Sequence, residues 1–160
     1  MMGAGKSAVG RALAAQLGVP FVDSDAEIER AARRPIAAIF EHEGEARFRE
    51  RERAVVDKLA GRAAVVALGG GAIAQPGAAQ RMAASGTVVY LKAAPETLLA
   101  RVGAAGTRPL LHGLDDAGRL AEIRRLLDER GAAYESAGIV VQTEDRDVAA
   151  VAAAVAEELA

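Results

Sequence analysis

Short apolar runs alternate with stretches of helical periodicity along the whole chain. The runs are four to six residues long, whereas the other stretches place apolar side chains three or four residues apart. The runs predict strands at 20–23, 63–68, 87–91 and 139–142; the stretches predict helices at 7–17, 25–33, 35–43, 45–60, 76–85, 117–134 and 146–159, with another that opens at Pro95. This alternation predicts an α/β domain, in which helices cover both faces of a parallel sheet.

Composition indicates one small soluble domain. The 160 residues are enough for a single domain (1–160) with its own core, which must consist of Ala, Val, Leu and Ile because aromatic residues make up only 3%. The net charge of −2 provides no attraction for nucleic acid or an anionic membrane. The sequence has no cysteine, signal peptide or apolar run of 18 residues, and we expect a cytoplasmic protein.

The first residues match the end of a phosphate-binding loop. The full pattern, G-x-x-x-x-G-K-[ST], follows a strand and opens a helix, and this chain contains Gly3, Ala4, Gly5, Lys6 and Ser7. The first glycine of the pattern falls one residue before Met1. In such loops the backbone N–H groups and the lysine bind phosphate, and the hydroxyl binds Mg²⁺. The alternative is a glycine-rich turn before an ordinary helix, but Lys6 is one of only three lysines, which favours the loop.

Asp23 and Asp25 follow the first predicted strand, at the end where parallel sheets bind ligands. Residues two apart on an extended segment point to the same side, so one carboxylate can serve a metal and the other a substrate hydroxyl. A structural interpretation is compatible with this one, because Ser24 followed by Glu27 has the spacing of a helix capping box.

Three glycines and one arginine are further candidates for ligand binding. Gly69, Gly70 and Gly71 follow strand 63–68 and would let a ligand approach the backbone, although a flexible connector has the same composition. Arg49 has the planar guanidinium that suits a carboxylate, and it shares a helical face with Glu52. The spacing of Glu45 and Arg49 fits an ordinary surface ion pair equally well, so spacing alone does not assign Arg49 to a site.

Residues 103–118 are rich in glycine and turn residues, and we interpret them as a lid that contains Arg108. Loops that close over a site and bring an arginine to the transferred phosphate recur in phosphoryl transfer, although a simple solvent loop is the alternative. Arg130 precedes Gly131 at a predicted helix end, where it would complement the helix dipole.

These motifs, in their order along the chain, resemble those of the shikimate kinase family. The resemblance covers nearly the whole sequence and rests on Met2 to Ser7, Asp23 to Asp25, Gly44-Glu45, Phe48-Arg49, Glu52, Gly69 to Gly71, Arg108 to Leu111, Glu129-Arg130 and Tyr134. It implies a magnesium-dependent kinase of aromatic amino-acid biosynthesis that phosphorylates the shikimate 3-hydroxyl with ATP.

The resemblance implies a nucleotide side and a substrate side of one site. On the nucleotide side it assigns ATP phosphates to Gly3, Ala4, Gly5, Lys6 and Ser7, adenine to Arg101, a phosphate contact to Arg108, and Mg²⁺ to Ser7 and Asp23. On the substrate side it assigns the shikimate hydroxyls to Asp25, which would orient or deprotonate the hydroxyl that attacks phosphorus. It assigns the shikimate carboxylate to Arg49, Arg130 and the backbone of Gly69, Gly70 and Gly71. The implied catalytic residues are Lys6, Asp25 and Arg108.

The implied fold is the three-layer α/β/α P-loop kinase fold, whose parallel sheet has the strand order 2-3-1-4-5. This sequence lacks strand 1, the middle one, so its two neighbours would lie about 9–10 Å apart with unpaired backbone groups. We therefore expect the true start to lie upstream, where about ten residues would supply a strand and the first loop glycine.

Two alternative functions stay open at this point. One is another small-molecule P-loop kinase of the gluconate type, which the paired arginines and the three glycines disfavour. The other is a protein that binds nucleotide but is inactive because the strand is missing. We expect a monomer in either case.

Overall fold

The computed structural model of the chain describes residues 1–103 and 109–160, and there it confirms the predicted alternation of strands and helices. The helices are α1 (Lys6–Leu17), α2 (Ser24–Ala32), α3 (Ile36–Leu59), α4 (Ala78–Ser85), α5 (Pro95–Val102), α6 (Asp116–Glu135) and α7 (Val148–Leu159). The strands are β1 (Phe21–Asp23), β2 (Val65–Ala67), β3 (Val89–Lys92) and β4 (Ile139–Gln142), and one turn of 3-10 helix covers Pro109–Leu111.

Gly44 interrupts α3 at the boundary between the two helices predicted there. Its backbone has φ 79° and ψ 170°, a conformation that glycine adopts far more readily than other residues. A Cβ at this position would meet nothing within 4 Å, so the backbone angle and not a lack of space favours glycine. The break sets the direction of the second half of α3, which buries Phe48 and Glu52.

The four strands form two separate parallel pairs. Strand β1 pairs with β2 in the register Phe21↔Val65 to Asp23↔Ala67, and β3 pairs with β4 in the register Val89↔Ile139 to Lys92↔Gln142. Among the described residues, neither pair hydrogen-bonds to the other. In the predicted order 2-3-1-4-5, these two pairs correspond to strands 2-3 and 4-5.

A cleft of about 470 Å³ lies between β2 and β3. Its walls include Val65 to Leu68 on one side and Val88, Val89 and Leu91 on the other, and no residue of β1 or β4 lines it. Helices contribute the remaining apolar surface, including Val9 and Leu13 of α1 and Val155 and Leu159 of α7. The two inner strands are therefore not paired with each other, and the cleft presents apolar side chains together with two strand edges.

Helix packing joins the two strand pairs. Helix α1 packs against β1, β2 and α7, and α7 in turn packs against β4. Met1 and Met2 are only 4% and 9% exposed and belong to the same core cluster as Tyr90, Leu91 and Val141 of the second pair. A smaller cluster of Ile28, Ile39 and Phe48 fixes α2 against α3. The start of the chain therefore contributes to the core that holds the two halves together.

A chain extended at its N-terminus by a short apolar strand should be more stable than the 160-residue chain. The added strand would bury its side chains in the cleft and give β2 and β3 backbone partners. We expect the thermal midpoint to rise by at least about 5 °C, since each kcal/mol shifts a domain of this size by about 2–4 °C. A Gly/Ser extension of equal length is the control in scanning calorimetry, and an equal midpoint for the two extensions would contradict the prediction.

Candidate nucleotide and substrate site

The phosphate loop reaches α1 through two glycines with positive φ. Gly3 has φ 73°, and a Cβ there would lie 2.8 Å from the carbonyl oxygen of Leu98. Gly5 has φ 84° and is the N-cap of α1. Lys6 follows, and its Nζ donates a 2.8 Å hydrogen bond to the carbonyl oxygen of Met1. The loop thus curls ahead of a helix N-terminus, the arrangement that binds phosphate in this class of site.

The structure brings together the two residues predicted to hold a metal. The Ser7 hydroxyl at the start of α1 donates a 2.7 Å hydrogen bond to Oδ2 of Asp23 at the end of β1. Within the described ranges, no three His, Asp or Glu side chains cluster in a way that could hold a metal ion. Mg²⁺ is commonly bound by one or two carboxylates together with substrate phosphates and water. The hydroxyl and carboxylate oxygens of this pair fit that mode.

The prediction for Asp23, Ser24 and Asp25 was right about location and wrong about local structure. Helix α2 begins at Ser24, so Asp25 lies in its first turn and not on an extended segment. The N-cap is Asp23, whose Oδ1 accepts the N–H of Asp25 at 3.0 Å, and the predicted Ser24 capping box is wrong. An aspartate accepts this bond as well as serine does, and its charge also suits the helix N-terminus.

Ser24 instead connects the start of α2 to the glycine segment. It is fully buried, and its Oγ accepts a 3.0 Å hydrogen bond from the N–H of Gly69. A Cβ on Gly69 would clash with Oε1 of Glu52 and would lie 2.9 Å from Oδ1 of Asp25. The hydrogen bond from Gly69 therefore holds the glycine segment against the carboxylates of Glu52 and Asp25.

Arg49 lies against the glycine segment between two glutamates. Its guanidinium donates to Glu52 at 2.7 Å and to Glu45 at 3.0 Å, so both pairs suggested by the spacing exist. A Cβ on Gly71 would come within 2.6–2.8 Å of the guanidinium, so a side chain there would displace Arg49 from its present position. Burial disfavours the charge of Arg49, but its hydrogen bonds to the glutamates outweigh that effect and raise its pKa.

Arg130 approaches the same region from α6, although not from a helix end as predicted. Helix α6 continues to Glu135 because Gly131 stays helical, and Arg130 is only 7% exposed. Tyr134, one turn further on, donates a 2.5 Å hydrogen bond to the carbonyl oxygen of Gly70. Burial raises the pKa of Tyr134, while the nearby charges of Arg130 and Arg49 act in the opposite direction. Arg49 and Arg130, which were predicted to share a carboxylate, therefore both lie near the Tyr134 hydroxyl.

A second cleft, of about 570 Å³, opens beside the phosphate loop. Arg101 lines it and donates to the hydroxyl and the carbonyl oxygen of Thr143, both at 2.7 Å. The predicted adenine residue is thus next to the loop, held by the segment that follows β4. Arg108 and part of the predicted lid lie outside the described residues, while Leu111, in the 3-10 turn, is buried.

Several residues of the site were not predicted as site residues. Thr143 and Arg146 line the second cleft just after β4, and their position beyond the carboxyl end of a strand was the available signal. Glu52 is only 1% exposed, which the charged sequence around it does not indicate. Tyr134 belongs to the family pattern, but its bond to Gly70 joins residues 64 positions apart.

Comparison with known proteins agrees with this geometry. A family model described as Shikimate kinase matches residues 2–160 of the chain. The chain belongs to the shikimate kinase family. A shikimate kinase of Nitrobacter winogradskyi is 46% identical over 146 residues, which cover 91% of this chain and 67% of that relative. A shikimate kinase of Halorhodospira halophila is 46% identical over 160 residues, covering 99% and 89% of the two chains.

Solved shikimate kinases also share the fold. The structure of Acinetobacter baumannii shikimate kinase in complex with shikimate matches with a TM-score of 0.92 and 40% identity, over 99% of this chain and 88% of that one. Members of the shikimate kinase family are ATP-dependent phosphotransferases, so the predicted recognition, fold class and enzyme class are confirmed.

Replacing Ser24 by alanine should destabilise the protein by about 1–3 kcal/mol, because the partly buried N–H of Gly69 would lose the acceptor that it has among the described residues. Urea unfolding of the variant measures this loss. Ser136→Ala is the matched control, since the Ser136 hydroxyl is exposed at the end of α6 and bonds only locally to Ala133. Equal stability of the two variants would show that the Ser24 bond does not hold the glycine segment.

Proposed function

We propose that this chain transfers the γ-phosphoryl group of ATP to the 3-hydroxyl of shikimate, giving ADP and shikimate 3-phosphate. The observation that supports this most directly is that the glycine segment adjoins the phosphate loop. A Cβ on Gly70 would lie 3.7 Å from the backbone of Met1 and Met2, at the start of the loop. A carboxylate bound by Arg49 beside Gly71 would therefore lie near the phosphates, as transfer between two bound substrates requires.

The phosphate loop and its neighbours form the nucleotide side of the proposal. Backbone N–H groups of Gly3 to Ser7 and the ammonium of Lys6 would bind the phosphates, and Arg101 would contact the base. Ser7 and Asp23 would hold Mg²⁺, which neutralises phosphate charge when bound. Arg108 is assigned a phosphate contact on the sequence alone.

Arg49, Arg130 and Asp25 form the substrate side of the proposal. The two guanidinium groups would bind the shikimate carboxylate with the backbone of Gly69 to Gly71. Asp25, whose Oδ1 lies beside Gly69, would accept a hydrogen bond from the hydroxyl that attacks phosphorus and would orient it or take its proton. A neutral polyol would leave both guanidinium groups unpaired in a closed site, and this penalty favours a carboxylate substrate.

We extend the proposal to a cytoplasmic enzyme that acts as a monomer. No helix in the described ranges has the length and apolar character needed to cross a bilayer. The gluconate-type alternative is disfavoured by the family match, and a panel of carboxylated polyols tests it directly. The other alternative, an inactive protein that binds nucleotide, is motivated by the separation of β2 from β3. It predicts that the chain binds ATP but releases no ADP in response to shikimate.

An ADP-release assay with variants of Arg49 and Asp25 tests this function. Arg49→Ala should raise the KM for shikimate roughly 10- to 100-fold with little change in the KM for ATP, since hydrogen bonds to charged groups contribute about 1.5–3 kcal/mol. Asp25→Asn should lower kcat by about 100-fold or more, because it removes the acceptor for the hydroxyl proton.

Arg51→Ala is the matched control, because Arg51 is an exposed arginine of the same helix that pairs with Glu43. It should keep the kinetic constants of the parent chain. Equal activity of the parent, Arg49→Ala and Asp25→Asn chains would refute the assignment, and ADP release that does not depend on shikimate would favour the inactive alternative.

A further inference from the structure

The loop that follows the three glycines contributes one side chain that hydrogen-bonds to a buried carboxylate of the proposed substrate side. Gln75 precedes α4, and its Nε2 donates a 2.8 Å hydrogen bond to Oε2 of Glu52. The same carboxylate oxygen accepts the 2.7 Å hydrogen bond from Nη1 of Arg49. Gln75 and Arg49 therefore bind one oxygen from two different elements of the fold.

Glu52 needs both of these donors. Its side chain is only 1% exposed, and its other oxygen, Oε1, has no hydrogen-bond partner among the described residues. A buried carboxylate is costly unless it is paired and hydrogen-bonded. Of the two donors, Arg49 is charged and the amide of Gln75 is neutral. Gln75 therefore stabilises the Glu52 carboxylate and does not compete with Arg49 for a substrate anion.

The carboxylate in turn determines where Arg49 points. The guanidinium is held by Glu52 on one side and by the more exposed Glu45 on the other, and it lies against Gly71. If Glu52 rotated towards another donor, the contact of Arg49 with the glycine segment would change with it. The rotamer of Glu52 is therefore coupled to the place where the proposed substrate carboxylate binds.

The oxygen of the Gln75 amide is held as well. Oε1 of Gln75 accepts hydrogen bonds from Nη2 and Nε of Arg53, at 3.3 and 3.4 Å. Because the amide accepts from Arg53 through its oxygen, its NH₂ group must face Glu52. Arg53 thus fixes the orientation of Gln75, and Gln75 fixes that of Glu52.

We infer that Gln75 is a positioning residue for substrate affinity, acting through Glu52 on the guanidinium of Arg49. This inference rests on the proposed function, because it assumes that Arg49 binds the carboxylate of shikimate. Gln75 itself need not touch the substrate. Its effect should appear in the KM for shikimate and leave kcat and the KM for ATP nearly unchanged.

Two substitutions separate this role from a simple tether of the loop. Gln75→Ala removes both hydrogen bonds of the side chain. Gln75→Glu keeps the size of the side chain and the acceptor for Arg53, but it replaces the donor to Glu52 by a second carboxylate. If Gln75 only tied the loop to Arg53, Gln75→Glu would keep or strengthen that contact, and the KM for shikimate would equal that of the parent chain.

Steady-state kinetics with each substrate varied in turn test the inference. We expect the KM for shikimate to rise roughly five- to tenfold in Gln75→Ala and at least as much in Gln75→Glu. We expect kcat and the KM for ATP to stay within about twofold of the parent. Gln80→Ala is the matched control, because Gln80 is an exposed glutamine on the neighbouring helix α4.

The possible outcomes distinguish failure of this inference from failure of the proposed function. A parent-like KM for shikimate in Gln75→Glu, with a raised KM in Arg49→Ala, would overturn the positioning role alone. An unchanged KM in Arg49→Ala would overturn the role of Arg49 and the inference with it. Equal changes for ATP and shikimate in Gln75→Ala would also overturn the inference, since they would indicate general distortion.

Discussion

Backbone hydrogen bonding at the middle of the sheet is the constraint on which the rest of this structure depends. Strands β2 and β3 each have one partner among the described residues, and their other edges face a cleft of about 470 Å³. The two strand pairs are therefore held together by helix packing, chiefly that of α1 against β2 and α7. Burial of Met1 and Met2 in the same core cluster as residues of α1, β3 and β4 adds to this contact.

The residues of the candidate site are also divided between the two strand pairs. The first strand pair leads into Asp25 and the glycine segment, and α3 adds Arg49; these residues would form the proposed substrate side. The second pair precedes Arg101 and Thr143, which line the cleft beside the phosphate loop. The phosphate loop lies between them and depends on α1 for its position. The geometry needed for phosphoryl transfer is thus set by how α1 packs on both halves, since such transfer relies on position and charge.

The alternation of strands and helices was predictable because it follows from local periodicity. The break at Gly44 was predictable from the conformational freedom of glycine. The strand pairing was predictable from the family resemblance. Ser24 was misassigned because two good capping residues, Asp23 and Ser24, are adjacent, and only the packing of Gly69 against α2 decides between them. Choosing between adjacent caps required the tertiary structure.

The interior of the site was less accessible to sequence reasoning. Arg49 has several glutamates within helical reach, and its position against Gly71 depends on the fold of a distant loop. Gln75 and Glu52 are 23 residues apart and carry no motif, so their bond could be found only in the structure. Arg130 was placed at a helix end, whereas Gly131 continues α6 instead of ending it.

The most direct test of the account is to identify the product made by the 160-residue chain from ATP, Mg²⁺ and shikimate. Phosphorus NMR of the reaction should show one new phosphate monoester, coupled to the ring proton at carbon 3 of shikimate and equal in amount to the ADP formed. This result would show that α1 holds the two halves of the site in register without a central strand. Release of inorganic phosphate alone, or no turnover while ATP still binds, would contradict the account.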